Sequence, residues 1–279
     1  MSIPARILYE SHMHTPLCKH ASGEPEEYAA AAEKRGLKGI IVTCHNPVPN
    51  GFSANVRMAM DEWDRYVALV ARARAAWAGR IDVRLGVESD YIPGMEAWVE
   101  ELHARAKLNH VLGSVHPQTA EYHTLFYHGD ALAFQKTYFT HLAMAAETKF
   151  FDTLSHPDLV KNCFPTKWRL DSVMDHIKLC LDRIAKTGTA MELNTSGIHK
   201  DIEEMNPGPE ILKEIHARGI PIVVGADAHK PERVAAEFEE ALDMLSNIGF
   251  THINIFLDRK RQALPIAAVR ASLIKVVAR

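Results

Sequence analysis

Several features that would tie a chain to a membrane, an oxidising compartment or a polyanion are missing here. No apolar run approaches the roughly 18 residues that a membrane helix needs. The four cysteines, Cys18, Cys44, Cys163 and Cys180, form no C-x-x-C pair, and 279 residues build a core without disulfide staples. Reduced thiols are therefore expected. Lys and Arg number 32 against 35 Asp and Glu, a net charge of -3, so neither nucleic acid nor another general polyanion is an expected partner. The opening MSIPARILYESH shows no basic region followed by an apolar stretch, and the expectation is a cytoplasmic protein. There is no G-x-S-x-G elbow and no P-loop, which argues against the common serine-hydrolase and nucleoside-triphosphatase chemistries. No Gly-, Pro- or Ser-rich linker and no repeat divides the chain, so residues 1–279 are expected to form one domain.

What the sequence does have is alternation. Short apolar runs at 7–11 (ILYES), 39–44 (GIIVTC), 83–88 (VRLGVE), 110–115 (HVLGSV), 152–155 (DTLS), 189–193 (TAMEL) and 221–226 (PIVVGA) suit strands buried on both faces. Residues 252–257 (HINIFL) offer an eighth. Amphipathic stretches at 25–35, 56–77, 95–106, 130–147, 171–187, 209–218 and 231–249 read as the intervening helices. Strand–helix alternation predicts an α/β fold with a parallel sheet, and seven or eight repeats favour a closed barrel over an open sheet.

It also has 16 histidines, scattered rather than gathered in a tag. Many fall at the C-terminal ends of the predicted strands: His12 and His14 after the first, His45 after the second, His116 after the fourth, His156 after the fifth and His229 after the seventh. Glu88 ends the third and Asp227 the seventh. In a parallel barrel those ends converge on the face where active sites lie. In H-x-H and D-x-H, residues i and i+2 of an extended strand point the same way, so both can ligate one centre. One such histidine alone would ordinarily be a capping or packing group; a set at six of seven strand ends points to a shared metal centre. By contrast, His103, His141, His176, His216 and His252 read as surface or packing residues. Cys18 and Cys44 read as small buried packing residues.

These residues resemble the polymerase and histidinol phosphatase (PHP) superfamily. The resemblance runs through H-x-H-T-P-L-C-x-H (His12 to His20), G-S-V-H (Gly113 to His116), S-H-P-D (Ser155 to Asp158) and D-A-H (Asp227 to His229). H-A-S-G-x-x-E-E-Y (His20 to Tyr28) and E-L-N-T-S-G (Glu192 to Gly197) bring it closest to the monofunctional histidinol-phosphatase branch. The resemblance implies a distorted (β/α)7 barrel with two to three divalent metal ions. One would take His12, His14, Glu88 and Asp227; a second would share Glu88 and take His116 and His156; a third would take His20, His45 and His229. It departs at Ile198-His199-Lys200, where many relatives have an arginine near position 199, and at G-A-D-A-H in place of the commoner G-S-D-A-H.

The implied reaction is hydrolysis of a small-molecule phosphate ester, L-histidinol phosphate in histidine biosynthesis, by a hydroxide bridging two metals. Asp227, Glu88 and His229 would be the catalytic ligands. An imidazole-rich set suits zinc, iron or manganese better than magnesium or calcium. Lys161 and Arg233, on loops after His156 and His229, are candidate phosphate contacts. Glu192, Asn194 and His199 are candidates for the polar end of the substrate. The aromatic insertion 118–130 could stack on an imidazole or simply cover the site. Alternatives are a phosphatase for another small ester or nucleotide, a metal-assisted amidohydrolase, and a non-catalytic metal-binding domain.

Overall fold

The structure is a computed structural model that describes residues 5–274. The expected domain of 1–279 therefore includes two end segments, 1–4 and 275–279, outside the described residues.

The elements follow the alternation in the sequence. In chain order they are β1 (Tyr9–Glu10), α1 (Pro25–Lys34), β2 (Gly39–Val42), α2 (Trp63–Ala76), β3 (Asp82–Leu85), β4 (Val87–Asp90), α3 (Glu96–Ala104) and β5 (Val111–Ser114). Then come α4 (Ala120–Phe126), α5 (Ala131–Thr148), β6 (Thr153–Leu154), α6 (Leu170–Ala185), β7 (Ala190–Asn194), α7 (Pro209–Ala217), β8 (Ile222–Gly225) and α8 (Phe238–Ile248). The hairpin β9 (His252–Leu257) and β10 (Lys260–Pro265) and the helix α9 (Ile266–Ser272) close the described chain. No described helix is long and apolar enough to cross a membrane.

The strands β1 to β3 pair in parallel, as do β4 to β8. Two bridges join these sheets into a ring. His45 pairs with Glu88, carrying the end of β2 onto β4, and Met13 pairs with Ala228 between the segments after β1 and β8. The second junction is held by His14 N to Ala228 O at 3.0 Å and Ala228 N to His12 O at 2.9 Å. This is the distorted barrel that the resemblance implies, with one turn of strand made by β3 and β4 in succession.

Several elements differ from the sequence reading, among them the helix read at 231–249, which begins only at Phe238. The run 83–88 is divided at Gly86, because a Cβ there would lie 2.6 Å from His110 O and 2.8 Å from Thr43 Cγ2. The chain shifts at this glycine from pairing with β2 to pairing with β5. The helix read at 56–77 begins only at Trp63; the residues before it form turns that carry Arg57 inward, 2% exposed. The eighth run, 252–257, is no barrel strand. It pairs antiparallel with β10 across Asp258–Arg259, both at positive φ, as a two-residue hairpin turn requires.

Helix ends are set by local chemistry. Glu24 and Glu27 close a capping box at α1, with Pro25 in its first turn. Asp130 caps α5 by accepting from Leu132 N and Ala133 N. Buried strand residues such as Ile40, Ile41, Val83, Val111 and Val224 meet helix faces such as Tyr66, Leu102, Leu142 and Ile177 in one contiguous core. A small second cluster, Ala190, Val223 and Phe256, lies where the hairpin packs on β7 and β8.

Candidate metal centre

The strand ends bring the nine predicted ligands to one place. His12 and His14 follow β1 on the same side, as their spacing requires. His12 Nε2 stands 3.5 Å from both Glu88 Oε2 and Asp227 Oδ1, and His14 Nε2 stands 3.1 Å from Asp227 Oδ1. Glu88 Oε1 faces His156 Nε2 at 2.9 Å and His116 Nε2 at 3.5 Å, so this carboxylate lies between two groups of histidines. His45 Nδ1 lies 2.8 Å from Glu88 Oε2, and the His45 ring sits nearer His14 (4.3 Å between centroids) than His229 (6.2 Å). His156 and Asp227 both adopt positive φ, 31° and 50°, a left-handed conformation unusual for residues other than glycine and frequent at functional sites.

The rings are aimed by other groups. His12 Nδ1 donates to Glu192 Oε1 at 2.7 Å, and His116 Nδ1 donates to Asp90 Oδ1 at 2.8 Å. His20 Nδ1 donates to Cys18 O at 2.7 Å, and His229 Nδ1 to Asp227 O at 3.0 Å. In the neutral ring each bond leaves the opposite nitrogen as a lone pair facing the centre, the arrangement that metal-binding histidines use.

The residues fit cations. His12 Nε2 and Glu88 Oε2 are buried with no hydrogen-bond partner. His20 Nε2 and His229 Nε2 stand 2.9 Å apart. Two imidazoles that already donate from Nδ1 put lone pair against lone pair there, which a shared proton or metal ion relieves. Sets of ligand atoms within 4.8 Å of one another include His12 with Glu88 and His156, His12 with His14 and Asp227, and His14 with His45 and His229.

Electrostatics agree with this. Burial works to raise the Glu88 pKa, but His45, His12 and His116 hold it well below the usual carboxylate range. Burial likewise opposes ionisation of Asp227, and His12 and His14 override it. Burial disfavours a charged His12, yet Glu192, Asp227 and Glu88 raise its pKa well above the ordinary value. Glu88 and Asp227 are thus held as carboxylates among the histidines.

Above this floor lies a cavity of about 530 Å3, lined by His20, His45, His116, His156, Asp227 and His229. Its walls include Arg57, Gln118, Glu121 and Lys200.

The predicted substrate contacts fare differently. Lys161 is wholly buried and points away from the cavity's lining; its Nζ donates to Asp158 Oδ2 at 3.0 Å, Glu204 Oε2 at 3.3 Å and Met205 O at 3.2 Å. All three of its protons are engaged, which leaves none for phosphate. Arg233 makes a two-pronged pair with Glu237 at 2.7 and 2.6 Å and is also absent from the lining. Glu192 and Asn194 are wholly buried beneath the floor. Glu192 holds His12 and accepts from His156 N at 3.0 Å, while Asn194 donates to Glu192 at 3.0 Å, so neither meets a substrate. His199 is exposed, 3.6 Å from Glu237, while its neighbour Lys200 lines the cavity. The aromatics of 118–130 pack on each other and on Phe134 and Phe164 rather than on the cavity. They cover the core; Gln118 to Glu121 line the site.

Sequence reasoning missed Asp90, Arg57 and Ser196. Asp90 accepts from His116 and from Arg57 Nη2 at 2.6 Å, and the single Ser196 hydroxyl proton is shared between Asn194 Oδ1 at 2.7 Å and Asp227 Oδ2 at 3.2 Å. Asp90 was findable: it sits two residues after Glu88 on one strand, on the same face. Arg57 carries no comparable signal. Cys18 and Cys44 are buried as expected, and the Cys18 thiol lies within 4.8 Å of ligand atoms of His14 and Cys44 on one side and of His20 and His229 on the other.

Known proteins are similar to this chain in sequence and in fold. A probable histidinol-phosphatase of Deinococcus radiodurans is 36% identical over 262 residues, covering 91% of this chain and 98% of that protein. A histidinol-phosphatase of Bacillus subtilis is 27% identical over 272 residues, 84% of this chain and 98% of that protein. Among solved structures, the histidinol phosphate phosphatase of Lactococcus lactis, complexed with zinc, L-histidinol and phosphate, superposes with a TM-score of 0.76 at 17% identity, over 91% of this chain and 98% of that one. The family profile described as PHP domain matches residues 10–196, a span that contains seven of the nine clustered residues. By that match and by the Deinococcus relative, the chain belongs to the PHP domain family.

Proposed function

We propose that the chain is a metal-dependent phosphoric monoester hydrolase that converts L-histidinol phosphate to L-histidinol and phosphate, a step of histidine biosynthesis, in the cytoplasm. The observation that carries the reading is the convergence of seven histidines, Glu88 and Asp227 beneath one open cavity. The substrate comes from the relatives: two are named as histidinol-phosphatases over nearly their full length, and the Lactococcus protein holds L-histidinol and phosphate. We further propose that the chain works as one domain, supported by its contiguous core.

We assign His12, His14, Glu88 and Asp227 to one ion, Glu88, His116 and His156 to a second, and His20, His45 and His229 to a third, with zinc, iron or manganese as occupants. Such ions lower the pKa of a bound water toward neutrality and offset phosphoryl charge. Asp227 orients the attacking water through its Oδ1, while the Ser196 hydroxyl faces the other oxygen. Glu88 is held ionised between the two groups of histidines. We assign His229, which lines the cavity, to the side of the leaving oxygen. Water adds its oxygen to phosphorus, the P–O ester bond breaks, and the alcohol leaves with a proton. Among the described residues no lysine lies in the cluster of nine, in contrast to the carboxylated lysine many amidohydrolases use.

The test is phosphate release from L-histidinol phosphate beside sugar phosphates and nucleotides, with metal content measured on the same sample. A kcat/KM at least about a hundredfold above the panel, roughly 2.7 kcal/mol of discrimination, supports the assignment. Metal present with another ester preferred keeps the chemistry and removes the substrate.

A further inference from the structure

The cavity is well matched to a phosphate at its floor, but a small ester also has an alcohol end that must be recognised. Among the described residues lining the cavity, the only carboxylates are Asp227, on the floor, and Glu121. Glu121 sits in the first turn of α4. Its Oε1 accepts from Ser53 N and its Oε2 from Ser53 Oγ, both at 3.0 Å. Ser53 is itself fully buried at φ 50°, so it fixes the carboxylate from behind.

Two donors leave spare capacity, since an ionised carboxylate offers about four lone-pair positions. No cationic side chain lies within ion-pair distance of Glu121 among the described residues, whereas the neighbouring cation of the wall, Arg57, is matched by Asp90 at 2.6 Å. Burial works to raise the Glu121 pKa, but the Ser53 bonds, its own backbone N–H and, beyond ion-pair distance, the charge of Arg57 hold it below the usual value, so the group is an anion at neutral pH. A fixed, unpaired anion beside a phosphate-binding floor is complementary to a molecule carrying a cation a few bonds from its phosphate.

We propose that Glu121 is a specificity-determining residue that holds the substrate's ammonium group while the phosphate lies on the histidine and carboxylate floor. This rests on the reading of the chain as a phosphatase for an amino-bearing ester. It assigns the aliphatic amine, rather than a ring, as the feature recognised by α4.

The experiment compares wild type with Glu121→Gln, which keeps the volume and an oxygen to accept from Ser53 but removes the charge. Substrates are L-histidinol phosphate, ethanolamine phosphate and ethyl phosphate, assayed on protein of matched metal content and melting temperature. Loss of one charge-assisted hydrogen bond corresponds to roughly 10- to 100-fold. The expected result is that kcat/KM on the two amine-bearing esters falls by that factor more than on ethyl phosphate, chiefly through KM. Equal losses on all three esters would mean that Glu121 only pins the Ser53 turn, and no loss would mean that it meets nothing; either overturns the proposal. The ethanolamine and ethyl pair separates the two failures. A wild type inactive on L-histidinol phosphate sinks the substrate reading. A wild type that prefers ethanolamine phosphate to ethyl phosphate no more than Glu121→Gln does sinks the role of Glu121.

Discussion

A ligating histidine must offer a free nitrogen and hold its ring still, and the two demands are met by different residues. His12 is aimed by Glu192, His116 by Asp90, and His20 and His229 by backbone carbonyls. Asp227 is the most constrained: its backbone is left-handed, one oxygen faces His14 at 3.1 Å, and the other shares the Ser196 proton with Asn194. Replacing it with Asn keeps the shape but removes the charge and one acceptor. We expect Asp227→Asn to lower kcat/KM by about a thousandfold or more, roughly 4 kcal/mol, while circular dichroism still shows a folded protein. Turnover within tenfold of wild type would refute the assigned role. The candidate ligands were legible in the sequence because H-x-H, V-H and D-A-H announce themselves within a few residues. Their supports were not, because Glu192 reaches His12 across 180 positions. A residue's charge shows in the sequence; which buried partner consumes it does not.

At the scale of elements the same rule explains what was read and what was not. Apolar runs gave the parallel strands, since burial on both faces leaves a local mark. The division at Gly86 depends on a contact with His110 O, and the late start of α2 on the inward turn of Arg57; neither is local. The turn after β6 is the sharpest case. Lys161 looks like a loop cation near the metal face, yet with Asp158 and Glu204 it ties this turn to the chain before α7. Asp158 also accepts from Gly208 N at 2.9 Å and from Asn206 Nδ2. Breaking a buried pair by removing one partner typically costs about 3–5 kcal/mol, because the other charge stays buried and uncompensated. Lys161→Met is therefore expected to lose about that much stability in urea unfolding while KM changes little. A raised KM with unchanged stability would return Lys161 to the phosphate site.

The whole molecule is polarised along the barrel axis. The metal ligands gather at the C-terminal ends of the strands, whereas the opposite end carries the β9–β10 hairpin, the small apolar cluster of Ala190, Val223 and Phe256, and the pairs Arg84–Asp82 and Arg259–Asp152. Two buried histidines outside the metal cluster make this visible in stability. His110, at the start of β5, bonds Thr153 Oγ1 at 2.9 Å and stacks on Phe256 at 5.0 Å between centroids. His141, in α5, bonds the Tyr122 hydroxyl at 2.7 Å. Burial first, then Arg259 and, last, His12 push the His110 pKa down to about 3, and burial pushes His141 down to about 4. In the unfolded chain both take up a proton below about pH 6.5. The folded chain resists until the pH nears 4 and then 3. Between those limits the unfolded state binds more protons, so stability present above pH 6.5 is lost as the pH falls. Each group contributes a slope of about 1.4 kcal/mol per pH unit within its window. Acid also weakens metal binding, but equally in variants that leave the cluster alone. Urea unfolding of wild type and His110→Gln at pH 5, 6 and 7 isolates the imidazole. The variant's stability should fall less steeply below pH 6.5, by about that slope. Parallel curves would mean that His110 is protonated in the folded barrel, and its apolar packing on Phe256 would have to be rethought.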